Sequence, residues 1–220
     1  RLGNISRMGE EVFSHENKAW YPINLMHVNA DQSRIARDFL GPKIFKNRYT
    51  IGYWFWEMPE FPTFFHFGYD QVDEIWVPSE YNRKAISQHT IKPVVVIPPS
   101  IEVKIERPLT RKDFYINEDS FVFLHISDAL SVPERKNPTG VIEAFIKAFK
   151  DQPSAKVKLI IKLSNLERQP RLAEEISESI KFDSRIQLID EYLDRNTLNN
   201  VLNECDCYVS LHRAEGFGLP

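Results

Sequence analysis

Cysteine is nearly absent from this sequence: two occur among 220 residues, Cys205 and Cys207. Two positions this close on one strand rarely form a disulfide, and neither has a CxxC partner. Both are therefore expected as reduced thiols of a cytoplasmic protein. No apolar run approaches the ~20 residues that a membrane-spanning helix needs, and no charged-then-apolar leader pattern opens the chain. A surplus of positive charge is missing too, with 28 Lys and Arg against 31 Asp and Glu and a net charge of −3. That balance argues against a broad basic face and against nucleic acid as a partner. No GxGxxG follows an apolar run, and no GxxxxGK precedes a Ser or Thr, so neither a dinucleotide fingerprint nor a P-loop is present. His15, His27, His66, His89, His125 and His212 are scattered, without a ligand spacing to Cys, Asp or Glu, and no metal site is expected. No GxSxG elbow occurs either.

What the chain does have is alternation. Hydrophobic residues make up 42% and charged residues 27%, which is ordinary for a soluble globular protein. Short apolar runs at 23–28, 49–56, 74–78 and 93–98 read as strands. Between them, Asp31 is placed to cap a helix carrying Ile35, Phe39 and Leu40, and Pro62 suits the first turn of a short helix. Ser79 should cap a helix whose inner face is Tyr81, Ala85 and Ile86. A polar, proline-flanked stretch without a period, "PSIEVKIERPLTRKD", then reads as a linker.

Alternation resumes with strands at 121–126, 157–163, 185–189 and 207–211. The helices between them carry Val141, Phe145, Ala148 and Phe149, then Leu172, Ile176 and Ile180, then Leu198, Val201, Leu202 and Cys205. Two such series imply two α/β domains with parallel sheets, spanning 1–105 and 106–220. Open sheets of this kind bind ligands at the carboxyl ends of their strands. The loops that follow the strands are therefore the places to look for chemistry.

One such loop leads into "SDALSVPERKNPTGVIEAF". Asn137 is a good cap, Pro138 fits the first helical position, and Arg135 and Lys136 stand directly before the helix. Exposed N–H groups, the positive end of the helix dipole and two cations are what a phosphate site needs. A capped helix with two solvated cations is the competing reading of that stretch. The last apolar run ends in "HRAEGFGLP", where Glu215 stands against Gly216 and Gly218. Glycine there removes the Cβ and lets backbone approach a ligand closely.

"RAEGFGLP" after a buried strand resembles the start of the E-x7-E motif of retaining glycosyltransferase family 4. "ERKNPTGVIEAFIKAF" is similar to the donor phosphate-binding loop and helix of that family, and "GYWFWEMPEFP" with "VDEIWVPSEYNRKAI" to the acceptor-side domain of some members. The resemblance implies the GT-B fold, two Rossmann-like domains facing a cleft. Residues 1–105 would be a partial acceptor-side domain, and 106–220 a donor-binding domain truncated at its C-terminus.

By the same resemblance, Lys136 would bind the donor diphosphate with Arg135 and Asn137 beside it. Glu215 would accept hydrogen bonds from the transferred sugar, while the amides around Gly216, Phe217 and Gly218 close on sugar and phosphate. The implied reaction moves a sugar, with retention, from a nucleotide-diphosphate sugar to a hydroxyl acceptor: a glycan, a lipid-linked acceptor or another alcohol. It implies no cofactor and no metal, and a cytoplasmic role in polysaccharide biosynthesis. Glu215, His27 and Glu57 are the candidates for contact with the reacting groups, His27 ending a strand and Glu57 following "GYWFW".

Three features depart from the family pattern. Ser127-Asp128 stands where many members have Gly-Arg. The second Glu of the motif would fall three residues beyond Pro220, and the first strand and glycine-rich loop of an acceptor domain do not open the chain. An internal piece of a longer protein is expected. Two rival readings stand beside the transferase: a non-catalytic nucleotide-sugar or glycan-binding relative, and a nucleotide-sugar epimerase of similar fold. The aromatic cluster of Trp54, Trp56, Phe61, Phe64, Phe65 and Phe67 reads as core plus interdomain packing, with a sugar platform or peripheral membrane contact as alternatives.

Overall fold

The computed structural model describes residues 21–215 and 217. The chain divides between Pro99 and Ser100 into two compact units. In the first, β1 (Ile23–Met26), β2 (Tyr49–Tyr53), β3 (Glu74–Val77) and β4 (Val94–Val96) form one parallel sheet in chain order. The run expected to stay extended through residue 56 leaves the sheet at Tyr53. Trp54 then turns into the core, 1% exposed. Beyond it Asn82 holds the backbone of Trp56, donating to its carbonyl at 2.6 Å and accepting from its amide at 3.4 Å.

Helix α1 (Ala30–Leu40) corrects the sequence expectation twice. Asn29, not Asp31, is its N-cap residue, and the Asn29 side chain accepts from the Phe55 amide (2.8 Å) instead of capping the helix. Its inner face is Ala30, Ser33 and Ala36, while Ile35 and Phe39 are 54% and 76% exposed. The reason is steric. A Cβ on Gly68, in the 3-10 helix Thr63–Gln71, would lie 2.8 Å from the Ala30 Cβ, so only small residues fit the seam. A single helical turn, α2 (Pro42–Phe45), follows α1. Ser79 does cap α3 (Glu80–Ile86), accepting from the Asn82 amide at 3.3 Å. Asn82 joins Ala85 and Ile86 on its inner face, and Tyr81 is exposed.

The second unit contains β5 (Phe121–Asp128), β6 (Val157–Ser164), β7 (Ile186–Ile189) and β8 (Cys207–Tyr208), again all parallel. Its helices are α4 (Pro133–Lys136), α5 (Pro138–Phe149), α6 (Pro170–Ile180) and α7 (Arg195–Glu204). Val122, Leu124, Leu159, Ile160, Ile161 and Leu163 on the two central strands are fully buried, as a parallel sheet covered on both faces requires. Val141, Ile142 and Phe145 of α5 pack with Leu172 and Ile176 of α6 on one face. Phe114, Ile116 and Val201 pack on the other.

Helix α7 also departs from the leucine-lined face expected of it: Asn199, Asn200 and Val201 are buried and Leu202 is exposed. Its asparagines satisfy backbone groups of the non-periodic polar stretch. Asn199 donates to the Lys104 carbonyl (2.7 Å), Asn200 accepts from the Leu109 amide (2.8 Å), and Asn196 accepts from the Glu106 and Arg107 amides (both 3.0 Å).

The strand order of the second sheet is β7-β6-β5-β8. Successive strands step one way from β5 to β7, and β8 then returns to the opposite side of β5. The loops after β5 and β8 therefore diverge from adjacent strands. Such a topological switch point is where open α/β sheets bind ligands.

Candidate functional site

The loop after β5 enters α4 through Val132, a β-branched residue at φ 53°, ψ 92°. A residue held there costs about 1–3 kcal/mol and persists only where its surroundings enforce it. The segment 211–215 bonds to the two residues that follow Pro133 in this turn. The Arg213 amide donates to the Arg135 carbonyl at 2.8 Å, and the Arg213 guanidinium donates to the Glu134 carbonyl. Arg135 Nη1 in turn donates to the Ala214 carbonyl (2.8 Å).

Asn137, at φ 54°, ψ 47°, closes α4 and opens α5, but its side chain makes no cap to α5. The amide donates instead to the Leu211 carbonyl at 3.3 Å. Gly140 makes room for this arrangement, because a Cβ there would lie 2.6 Å from the Asn137 amide group.

Three groups converge on one oxygen, Oε1 of Glu215. They are Lys136 Nζ, Arg135 Nη1 at 3.3 Å and His212 Nδ1 at 2.8 Å. Burial, with Lys136 nearby, lowers the pKa of His212 against the opposing pull of Glu215. A neutral imidazole facing a carboxylate carries its proton on Nδ1, and Nε2 is left buried without a partner among the described residues. The cluster thus sets two cations against a single carboxylate.

Beneath it, fully buried His125 spans from β5 to the end of β8. Its Nδ1 lies 3.0 Å from the Val209 carbonyl and its Nε2 3.0 Å from the Ser127 hydroxyl. A carbonyl can only accept, so Nδ1 donates and the hydroxyl donates to Nε2. Burial pushes the His125 pKa down to about 4. The rings of His125 and His212 meet edge-on with centroids 5.5 Å apart. Ser127-Asp128 therefore has structural work: Ser127 holds His125, and Asp128 accepts from the Leu130 amide and the Asn165 side chain, both at 2.9 Å.

Of the four residues expected at the phosphate and sugar, Arg135, Lys136 and Glu215 come together, while the Asn137 side chain turns to the Leu211 carbonyl. Phe217 is described and partly buried, whereas Gly216 and Gly218 lie outside the described residues. His27 and Glu57 belong to the first unit, after β1 and β2. His27 stacks on Tyr53 with centroids 5.0 Å apart, and the Glu57 carbonyl accepts from the Tyr81 hydroxyl at 3.2 Å. His125, Ser127 and His212 were missed, because their meeting depends on β8 pairing beside β5. Lys162 was missed as well. It is buried at the end of β6 and donates to the Leu163 carbonyl (3.1 Å) and the Ser164 hydroxyl (3.2 Å), and burial lowers its pKa. Among the described residues no three His, Cys, Asp or Glu side chains gather as a metal site needs, and no helix is long and apolar enough to cross a membrane.

No family model matches the chain, and no curated protein is recognisably similar to it in sequence. Solved structures are similar in fold. The apo structure of OtsA superposes with a TM-score of 0.63 at 14% identity, over 88% of this chain and 53% of that one. A UDP-forming trehalose-phosphate synthase from Burkholderia xenovorans gives 0.63 at 13% identity, over 86% and 52%. The pneumococcal O-GlcNAc transferase GtfA, in complex with UDP and GlcNAc, gives 0.58 at 16% identity, over 84% and 37%. The two parallel α/β units are those of the GT-B fold. The chain spans about half the length of OtsA and little more than a third of GtfA.

Proposed function

We propose that the second unit binds a nucleotide-diphosphate sugar at the β5–β8 switch point, and that the protein is a retaining glycosyltransferase of family 4. The observation that carries this reading is the convergence of Lys136 and Arg135 on Glu215 at that point. Two cations held beside the start of α5 suit a diphosphate, which would draw them from the carboxylate. Glu215, so released, would accept hydrogen bonds from hydroxyls of the transferred sugar.

As the sugar departs, negative charge grows on the phosphate it leaves. Fixed donors and cations aimed at that charge stabilise the transition state more than the ground state. In this reading Lys136, Arg135 and the opening amides of α5 meet the charge without a metal ion. Residues 106–220 would form the donor domain. Residues 1–105 would form the acceptor side, with His27 and Glu57 as its candidate contacts to a glycan, lipid-linked or other hydroxyl acceptor. A cytoplasmic role in polysaccharide biosynthesis fits such an activity. UDP-sugars are the first donors to try, because GtfA was crystallised with UDP and the trehalose-phosphate synthase is UDP-forming.

The test is a thermal-shift panel of UDP-, GDP- and ADP-sugars, since a ligand that binds only the native state raises its melting temperature. A nucleotide sugar that stabilises the chain, with the shift lost in Lys136→Ala, supports the reading. No response to any donor or to pyrophosphate would overturn it.

A further inference from the structure

His212 belongs to none of the groups that the phosphate reading uses, yet it is the most deeply buried of the side chains around Glu215, 3% exposed. It donates to the same oxygen that receives Lys136 and Arg135. Its contact differs from theirs in kind. A phosphate competes for cations, but a neutral imidazole offers an anion no charge. Its other nitrogen is buried without a partner among the described residues, so the ring gains no described contact by turning away. The edge-on contact with His125, itself tied to Val209 and Ser127, backs the ring from behind.

We propose that His212 is the positioning residue for Glu215: its Nδ1–H holds the carboxylate in place when a phosphate draws Lys136 and Arg135 away. The inference rests on the donor-site reading above and adds a division of labour to it. The two cations serve the phosphate, while the imidazole keeps the sugar-side carboxylate aimed. Without His212, phosphate binding would leave Glu215 with none of these three partners, free to swing into water.

Two nuclear magnetic resonance measurements test this on the 220-residue chain. The first reads the imidazole ¹⁵N signals of His212 at neutral pH without ligand. A neutral ring protonated at Nδ1 is expected, and an imidazolium or an Nε2-protonated ring would overturn the proposal whatever the site binds. The second follows the Glu215 carboxyl ¹³C signal at saturating pyrophosphate. In the unsubstituted chain and in His212→Asn, whose amide can still donate, the signal is expected to stay distinct from that of a solvent-exposed glutamate. In His212→Phe, which keeps the bulk and loses the donor, it is expected to move to the solvent-exposed position. A signal that behaves alike in both variants would overturn the proposal. Failure of pyrophosphate to bind would fall on the phosphate reading alone, with the tautomer measurement still deciding the role of His212.

Discussion

Lys136 and Glu215 are 79 residues apart in the chain, yet the lysine amine donates directly to the glutamate carboxylate. They meet because β8 returns to the side of β5 that β6 leaves open, so the loops after β5 and β8 start from adjacent strand ends. Everything proposed for the second unit follows from that pairing.

The His125 imidazole makes stability depend on pH. Its pKa falls from the ordinary 6.5 to about 4 on folding. Between those values the unfolded chain binds a proton that the folded chain refuses, so stability is full above about pH 6.5 and is lost as pH falls toward 4. The whole difference is on the order of 3 kcal/mol. The lowered pKa of His212 acts in the same direction. Urea unfolding from pH 7.5 to 4.5 should show the decline, and His125→Gln should flatten it. A profile unchanged by that substitution would show that His125 is not the group responsible.

Asp206 ties three segments together at the opposite end of β5. Both of its oxygens accept from Arg111 at 2.9 Å, and one also accepts from the Val122 amide at 2.7 Å. Hydrogen bonds to a charged group contribute roughly 1.5–3 kcal/mol each where they are shielded from water. Asp206→Asn is therefore expected to lower unfolding free energy by about 1.5–3 kcal/mol while leaving pyrophosphate affinity unchanged. Denaturant titration and calorimetry on the same variant check both halves.

In the first unit the tight point is Gly52. A Cβ there would lie 2.6 Å from Trp54 Nε1 and 3.0 Å from Val72 Cγ1. Trp54 cannot yield, because the rings of Phe61 and Tyr69 pack against it at 6.0 and 5.7 Å. Overpacking of this kind costs about 1–3 kcal/mol. Gly52→Ala should destabilise the protein by that amount in urea unfolding, and a neutral result would mean that the Trp54 pocket is looser than the structure has it.

Much of this was legible in the sequence, and the exceptions share a cause. β5 and β6 could be read because parallel strands buried on both faces show as unbroken apolar runs. Arg135, Lys136 and Glu215 could be read because their local motifs follow strands. The inner faces of α1 and α7 could not. Apolar periodicity assumes that a helix buries its largest apolar side chains, but α1 meets Gly68 across a seam that admits only small residues. In α7 the asparagines go inward because the backbone of 104–109 needs partners there. Asn137 looked like a helix cap, but the Leu211 carbonyl claims its side chain. Each miss depends on a neighbour distant in sequence, which no local pattern encodes.

The central claim is that Lys136 serves a phosphate for which Glu215 now stands as competitor. Calorimetric titration with pyrophosphate and with UDP tests it most directly, on the unsubstituted chain, Lys136→Ala and Glu215→Gln. Loss of a charged hydrogen bond of about 1.5–3 kcal/mol, at about 1.4 kcal/mol per tenfold, predicts a roughly ten- to hundredfold weaker affinity in Lys136→Ala. Glu215→Gln should bind pyrophosphate as tightly as the unsubstituted chain or more tightly, because it removes an anion from the same cations. Unchanged affinity in Lys136→Ala, or a large loss in Glu215→Gln, would contradict the account.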